Sequence, residues 1–294
     1  MDDALIQGTS RFKHYNTQAP DTTRILPLFS LKGKTAIVAG AGAGIGLAVC
    51  RGYAEAGANV IIWYNSNKAA EDRAQEIEDE FGVRCRAYSV DVTNPEAVDT
   101  AITSQLKDFN DRLDIFVYNS GVAWTSGAAI TGSLDNYRSV MKVNVDGLFY
   151  CARVAGRIWR EQKQRQKQSQ ATPLPNFRAG SFIATASMSG HIANFPQLQT
   201  AYDASKAAVK HMCQNLALEW VQFARVNSIS PGYIATELTD FVPTETKEVW
   251  RSMIPMGREG EVGELKGPYL FLASDASSYC TGTDLLVDGG YCAP

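Results

Sequence analysis

The sequence predicts an α/β protein built on a parallel sheet covered by helices on both faces. Seven short apolar runs, the amphipathic segments between them, and a length of 294 residues carry that prediction. The runs are "KTAIVAG" (34–40), "ANVIIWYN" (58–65), "CRAYSVDV" (85–92), "LDIFVYNSG" (113–121), "GSFIATAS" (180–187), "ARVNSISPG" (224–232) and "DLLVDGG" (284–290). Each is β-branched or aromatic in part and bounded by turn residues, which reads as a strand. Helical segments lie between them. "NKAAEDRAQEIEDEF" (67–81) is one. "NPEAVDTAITSQLKDF" (94–109) is another, opened by Thr93 and Glu96 as a capping box with Pro95 in the first turn. A long helix is expected from Asp135 to Arg165, and a further one from Tyr202 to Phe223.

Residues 1–30 mix Pro, Asp, Thr and Gln without a period, so they read as an arm outside the main domain, which runs from 31 to 294. The Gln-rich stretch "REQKQRQKQSQATPLPNF" (160–177) reads as a solvated surface insertion, although its basic residues also suit an anion-binding arm. Composition is that of a soluble globular chain: 45% hydrophobic, 20% charged, formal net charge -3. Such a balance gives no electrostatic reason to expect nucleic acid or an anionic membrane as partner. No apolar run approaches the ~20 residues of a membrane helix, and the first residues lack the basic start and apolar core of a secretory signal. A cytoplasmic protein is expected. The six cysteines (50, 85, 151, 213, 280, 292) form no CxxC pair, and only three histidines are present, so no metal is expected.

"VAGAGAGIG" (38–46) follows the first strand directly. Gly40, Gly44 and Gly46 allow a tight turn into a helix. They also let backbone N–H groups, with Ile45 among them, meet a pyrophosphate at the helix N-terminus, where the dipole favours negative charge. The spacing is neither G-x-G-x-x-G nor a P-loop, and a plain tight turn remains the alternative. NAD-preferring sites place an acid at the end of the second strand, where it would repel a 2′-phosphate. That strand here ends "IIWYNSNK", with the neutral donors Tyr64, Asn65 and Ser66 and nearby Lys68. This favours NADP(H), and an ordinary loop has the same composition.

"AYDASKAAV" (201–209) places Tyr202 and Lys206 four residues apart, on one helix face. Alone, the pair is common. It gains meaning from its order in the chain, after Gly40/Gly44/Gly46, Asp91-Val92, Asn119-Ser120-Gly121, Asn144 and Ser187, and before Pro231-Gly232. That ordered set resembles the short-chain dehydrogenase/reductase superfamily over 31–294. "WYNSN", "SMSGHIANFPQLQ", "EWVQFARVNSISPGYIATELTDF" and "IPMGREGEVGELKG" look like its fungal sorbose reductase, mannitol 2-dehydrogenase and carbonyl reductase group, which is NADP(H)-linked.

The resemblance implies a three-layer Rossmann fold, a doubly wound seven-stranded parallel sheet in a single domain, and a homotetramer. It implies Asn144, Ser187, Tyr202 and Lys206 as catalytic residues, with Asn144 propping a helix open and holding a proton-relay water. Asp91 and Val92 would approach the adenine, and Asn119, Ser120 and Gly121 the adenine-side ribose. Lys206 and Tyr202 would meet the nicotinamide ribose, and Pro231, Gly232, Ile234 and Thr236 the nicotinamide. Asp91 also fits a helix cap, and Ser189 competes with Ser187 by strand period. Three positions depart from the family pattern: Ala39 for a threonine, Tyr118 for an asparagine, and Asp203 for a neutral residue after the tyrosine.

In this reading Tyr202 donates a proton to the forming alkoxide. Lys206 draws its phenol, ordinarily near pKa ~10, toward neutrality, while Asp203 opposes that by like-sign repulsion. Ser187 steadies the substrate oxygen. His191 lines the pocket or faces solvent, and residues 237–260 form a substrate lid. The expected activity is NADPH-dependent reduction of a ketose of the sorbose or fructose type, or of another ketone, with the polyol or alcohol as partner. The alternatives are a catalytically silent NADP(H)-sensing scaffold and a sugar-nucleotide epimerase, which uses the same Tyr/Lys pair but usually a larger C-terminal domain.

Overall fold

A computed structural model describes residues 17–22, 24–167, 174, 177–236 and 242–293. The short helix α1 (Ile25–Leu28) precedes β1 (Thr35–Ala39), α2 (Gly44–Glu55), β2 (Asn59–Tyr64) and α3 (Ala69–Phe81). Then come β3 (Cys85–Ser89), α4 (Pro95–Gln105), β4 (Ile115–Tyr118), α5 (Leu134–Met141) and α6 (Gly147–Lys167). After β5 (Gly180–Thr185), α7 (Thr200–Trp220) leads to β6 (Ala224–Pro231) and β7 (Ile234–Ala235). The chain continues through α8 (Thr244–Met253), β8 (Gly260–Glu261), α9 (Lys266–Ala273) and β9 (Asp284–Val287).

Seven strands form one sheet in the order β3-β2-β1-β4-β5-β6-β9, and every pairing is parallel. Each predicted apolar run supplies one of them. β7 and β8 form a separate two-stranded pair. Successive side chains of a strand point to opposite faces, so a sheet buried on both sides needs unbroken apolar runs. Ile37 and Ala39 join Trp63, Phe116, Phe182, Trp159 and Trp220 in one core cluster. Ala36 and Val38 join Val60, Ile62, Val117, Ile183, Tyr53 and Tyr269 in the other. Two cores flanking one sheet make the three layers. Phe116 of β4 stacks on Phe182 of the neighbouring β5 at 5.6 Å and meets Trp63 of β2 edge-on at 5.5 Å across β1, which ties the three strands by ring packing.

Three local expectations change. α4 opens on Asn94, whose side chain accepts from the Ala97 N–H at 3.0 Å. Thr93 does not cap it; its N–H and hydroxyl both donate to Asp91. The long helix predicted from Asp135 is broken by a π turn at Lys142–Asp146 between α5 and α6. Residues 160–167 of the predicted insertion continue α6, and Gln162 is buried, exchanging hydrogen bonds with both backbone groups of Leu113. Residues 168–173, 175 and 176 lie outside the described residues, as do 1–16 and 23 of the arm. The rest of the arm touches the body through Arg178, which donates to the Ala19 carbonyl at 2.8 Å and pairs with Asp21. Among the described residues no helix is long and apolar enough to cross a membrane.

Candidate active site

Parallel strands end on one edge of the sheet, so the loops that follow β1, β4, β5 and β6 meet there. Between β1 and β4 the strand order reverses, and such a switch point opens a crevice for a ligand. The glycine loop occupies it. Gly40 and Gly44 have φ of +74° and +55°, which L side chains rarely adopt. A Cβ on Gly46 would lie 2.4 Å from the Gly40 carbonyl oxygen, so the turn closes only without a side chain there. Ala43 is the N-cap of α2 and offers no side-chain acceptor. The first N–H groups of a 12-residue helix therefore point into the crevice without a capping side chain. That donor set and its dipole fit a dinucleotide pyrophosphate.

Asn119 holds the loop. Its Nδ2 donates to the Gly40 carbonyl at 2.8 Å, and its Oδ1 accepts from the Thr185 hydroxyl at 2.9 Å. At the end of β2, Asn65, Ser66 and Lys68 are exposed, and Asn67 Nδ2 clasps the Gly42 carbonyl at 3.2 Å. Tyr64 differs from its expected role as a neutral donor: it is buried, and its hydroxyl is committed to Glu71 at 2.5 Å. Asp91 is not the helix cap, which is Asn94, but braces the turn that leads to it. Its Oδ1 accepts from the Thr93 N–H at 2.9 Å and hydroxyl at 2.7 Å, bonds that hold its carboxyl below the usual range. Val92 is buried beside it. Ser120 packs against the loop, its backbone N 2.7 Å from where a Gly40 Cβ would stand.

Asn144, Ser205, Gly121 and Lys206 lie together beside the loop after β4. Asn144 lies in the π turn, fully buried, its Oδ1 accepting from Val122 N at 2.9 Å. Its Nδ2 donates to the Val122 carbonyl at 3.1 Å and to Ser205 Oγ at 3.0 Å. Ser205 donates onward to the Tyr202 carbonyl at 2.7 Å, which fixes the first turn of α7. Tyr118 donates its hydroxyl to the Val143 carbonyl, so the departure from asparagine there ties β4 to the same turn. Gly121 stands between Asn144 and Lys206; a Cβ on it would be 3.4 Å from Asn144 Oδ1 and 3.5 Å from Lys206 Nζ.

Lys206 is 4% exposed. Its Nζ donates to the Thr185 carbonyl at 2.8 Å and lies 5.6 Å from the Tyr202 ring centroid. Burial pushes its ammonium down to about 8. The Tyr202 phenol moves upward: burial raises it, a hydrogen bond with Ser187 lowers it, and Asp203 raises it further. Lys206 Nζ stands within reach of both the Thr185 carbonyl and the Tyr202 ring. The opposing influence of Asp203 is present. Burial also raises Asp203 itself, to about 6.

Ser187 Oγ accepts from the Ser189 N–H at 3.1 Å, and Ser187 also hydrogen-bonds Tyr202. His191 turns elsewhere: its Nε2 lies 2.8 Å from Asp284 Oδ2 and 3.2 Å from Ser230 Oγ. Pro231 and Ile234 are buried at the end of β6 and in β7. Gly232 is pressed against Asp288, with a Cβ position only 2.7 Å from its Cα. Thr236 Cγ2 would be 3.6 Å from a Cβ on Gly44, so the glycine loop and the β6 loop face each other. The sequence reading missed Thr185, which serves Asn119, Lys206 and Tyr269 at once. Its place two residues before Ser187, on the same strand face, was the available signal.

A family profile described as enoyl-(acyl carrier protein) reductase matches residues 40–292. L-xylulose reductase from Hypocrea jecorina is 62% identical over 96% of this chain and 98% of that protein. The probable NADP-dependent mannitol dehydrogenase of Yarrowia lipolytica is 48% identical over 95% of each chain. The crystal structure of the NADPH-dependent 3-quinuclidinone reductase from Rhodotorula rubra matches with a TM-score of 0.87 and 38% identity. It spans 96% of this chain and 100% of that one. The sheet order, the glycine loop and these likenesses agree: the chain belongs to the short-chain dehydrogenase/reductase family of oxidoreductases.

Proposed function

We propose that this protein is an NADPH-dependent reductase that interconverts a ketose, or another ketone, with its polyol or alcohol, using Tyr202 as the proton donor. The convergence of Ser187, Tyr202, Lys206 and Asn144 around one crevice supports this reading most directly. The names of similar proteins point the same way, toward NADP and toward sugar or polyol substrates. When bound, the cofactor supplies the hydride.

The residues of this chain do the rest. The N–H groups around Gly44, Ile45 and Gly46 hold the pyrophosphate, and Gly40 shapes the turn. Asn65, Ser66 and Lys68 receive the 2′-phosphate. Asp91 and Val92 border the adenine, and Asn119, Ser120 and Gly121 its ribose. Lys206 and Tyr202 hold the nicotinamide ribose, and Pro231, Gly232, Ile234 and Thr236 flank the ring. A phenol raised above its ordinary value keeps its proton until an alkoxide forms nearby, which suits a donor. Ser187 steadies the substrate oxygen, and Asn144 holds a relay water beside Val122. Residues 237–260 act as the lid; 237–241 lie outside the described residues, while Trp250 of α8 stacks on Tyr233 at 4.0 Å.

Leu134, Tyr137, Phe149 and Leu218 stand exposed on α5, α6 and α7 and offer apolar surface for a homotetramer. The six cysteines are free and four are buried, which suits the reducing cytoplasm. The test follows NADPH and NADH oxidation with sorbose, fructose and simple ketones. Tyr202→Phe should bind NADPH normally and lose turnover by at least ~10²-fold. Retained turnover would sink the assignment, and equal rates with NADH would overturn the cofactor preference.

A further inference from the structure

Among the described residues, four buried side-chain atoms have no hydrogen-bond partner: Asn194 Oδ1, Gln199 Oε1, Asp203 Oδ1 and Trp250 Nε1. Buried polar atoms are almost always paired, so an orphan asks for a missing partner. These four are not scattered. The Asn194 N–H donates to Asp203 Oδ2 at 3.4 Å, which leaves the other carboxylate oxygen open. Asn194 Nδ2 donates to the Tyr233 hydroxyl at 3.3 Å, which leaves its own Oδ1 open. Gln199 is joined to Asp203 through the first turn of α7, where the Asp203 N–H donates to the Gln199 carbonyl at 2.8 Å. Tyr233 stacks on Trp250 with rings 9° apart, and Tyr291 meets Tyr233 edge-on at 5.6 Å.

The cluster draws on the loop after β5, the start of α7, the residue following Gly232, and α8. Asn194 and Tyr233 lie in the loops after β5 and β6, which flank the crevice, so the cluster borders the site. Three acceptors, one donor and an aromatic stack describe a complement to a chain of hydroxylated carbons. Hydroxyls can donate to Asn194, Gln199 and Asp203 and accept from Trp250, while the C–H edges of such a chain lie against rings. A ketone with no further hydroxyls leaves all four atoms unpaired, and unpaired buried groups are what make such sites discriminate.

We propose that Asp203, Asn194, Gln199 and Trp250 form a specificity subsite that holds the hydroxyl groups of the substrate beyond the reacting carbon. The proposal rests on the reductase reading above. It assigns to Asp203, the departure from the family pattern, the selection of polyhydroxylated over plain carbonyl substrates.

The experiment measures kcat/KM for fructose, sorbose and 2-hexanone with NADPH, in the wild type and in Asp203→Ala and Gln199→Ala. NADPH affinity, read by cofactor fluorescence, reports whether each variant is folded. The wild type should prefer the ketoses. Loss of one hydrogen bond to a charged acceptor should cut the ketose-to-hexanone ratio by roughly 30-fold in Asp203→Ala, and loss of a neutral one less in Gln199→Ala. A wild type that reduces ketoses preferentially, with the ratio unchanged in both variants, overturns the subsite alone. A wild type that prefers 2-hexanone also overturns it and leaves the reductase reading standing. A wild type that reduces none of the three removes the reductase reading and the subsite with it.

Discussion

Replacing Lys206 with methionine removes a buried ammonium while keeping most of the apolar stem. Folding pushes the ammonium from an ordinary 10.5 down to about 8. At 1.36 kcal/mol per pKa unit, that shift corresponds to roughly 3 kcal/mol of destabilisation carried by the charged form. Near pH 7 the variant escapes that burden but forfeits the bond to the Thr185 carbonyl, a bond to a charged donor of about 1.5–3 kcal/mol. The two nearly cancel, so stability at pH 7 should change little. The pH dependence does not cancel. Between pH 8 and 10.5 the folded lysine has released its proton while the unfolded lysine still holds it. The unfolded chain then binds more protons, and wild-type stability rises with pH relative to the variant. The slope approaches ~1.4 kcal/mol per pH unit, totalling roughly 3 kcal/mol. Urea unfolding of both proteins without cofactor, at one protein concentration and at each pH from 7 to 10, measures the difference. A wild-type-minus-variant difference that stays flat over that range would refute the claim that Lys206 is desolvated in the folded protein.

Gly46→Ala places a methyl 2.4 Å from the Gly40 carbonyl oxygen and 2.8 Å from Asn119 Nδ2. It should lower stability by about 1–3 kcal/mol and weaken NADPH binding, because the loop must open to admit it. A thermal melt and a fluorescence titration both matching the wild type would contradict the packing described. Asp114→Ala acts at the other end of the sheet. Asp114 pairs with buried Arg112 through two bonds of 2.7 and 2.8 Å and also accepts from the Thr35 N–H at 2.8 Å. Removing it should cost about 3–5 kcal/mol, seen as a lower urea midpoint, with NADPH affinity preserved in the remaining folded protein. An unchanged midpoint would mean that Arg112 is solvated.

Local chemistry was enough for the seven strands and the position of the glycine loop. A strand covered on both faces must be apolar throughout, and a turn with positive φ against a neighbouring backbone must be glycine, as at Gly40. The same holds for the order of Asn119, Asn144, Ser187, Tyr202 and Lys206, which the parallel topology delivers to one edge. Cap choice between Thr93 and Asn94 was ambiguous because both side chains accept from nearby N–H groups, and Asp91 claimed the threonine. The π turn at Asn144 has no period to announce it; Val122 and Ser205 bond its side chain and Tyr118 the Val143 carbonyl, partners far away in the sequence. Helical spacing put Tyr202 and Lys206 on one face, but only the packed fold added the Thr185 carbonyl as a partner of the ammonium. Tyr64 likewise looked like a free donor until Glu71 took its hydroxyl. The Asn194, Asp203, Tyr233 and Trp250 cluster joins side chains up to 56 positions apart in the sequence. Directions of hydrogen bonds and contacts at such separation depend on where the sheet and helices bring the backbone, and no local pattern encodes them.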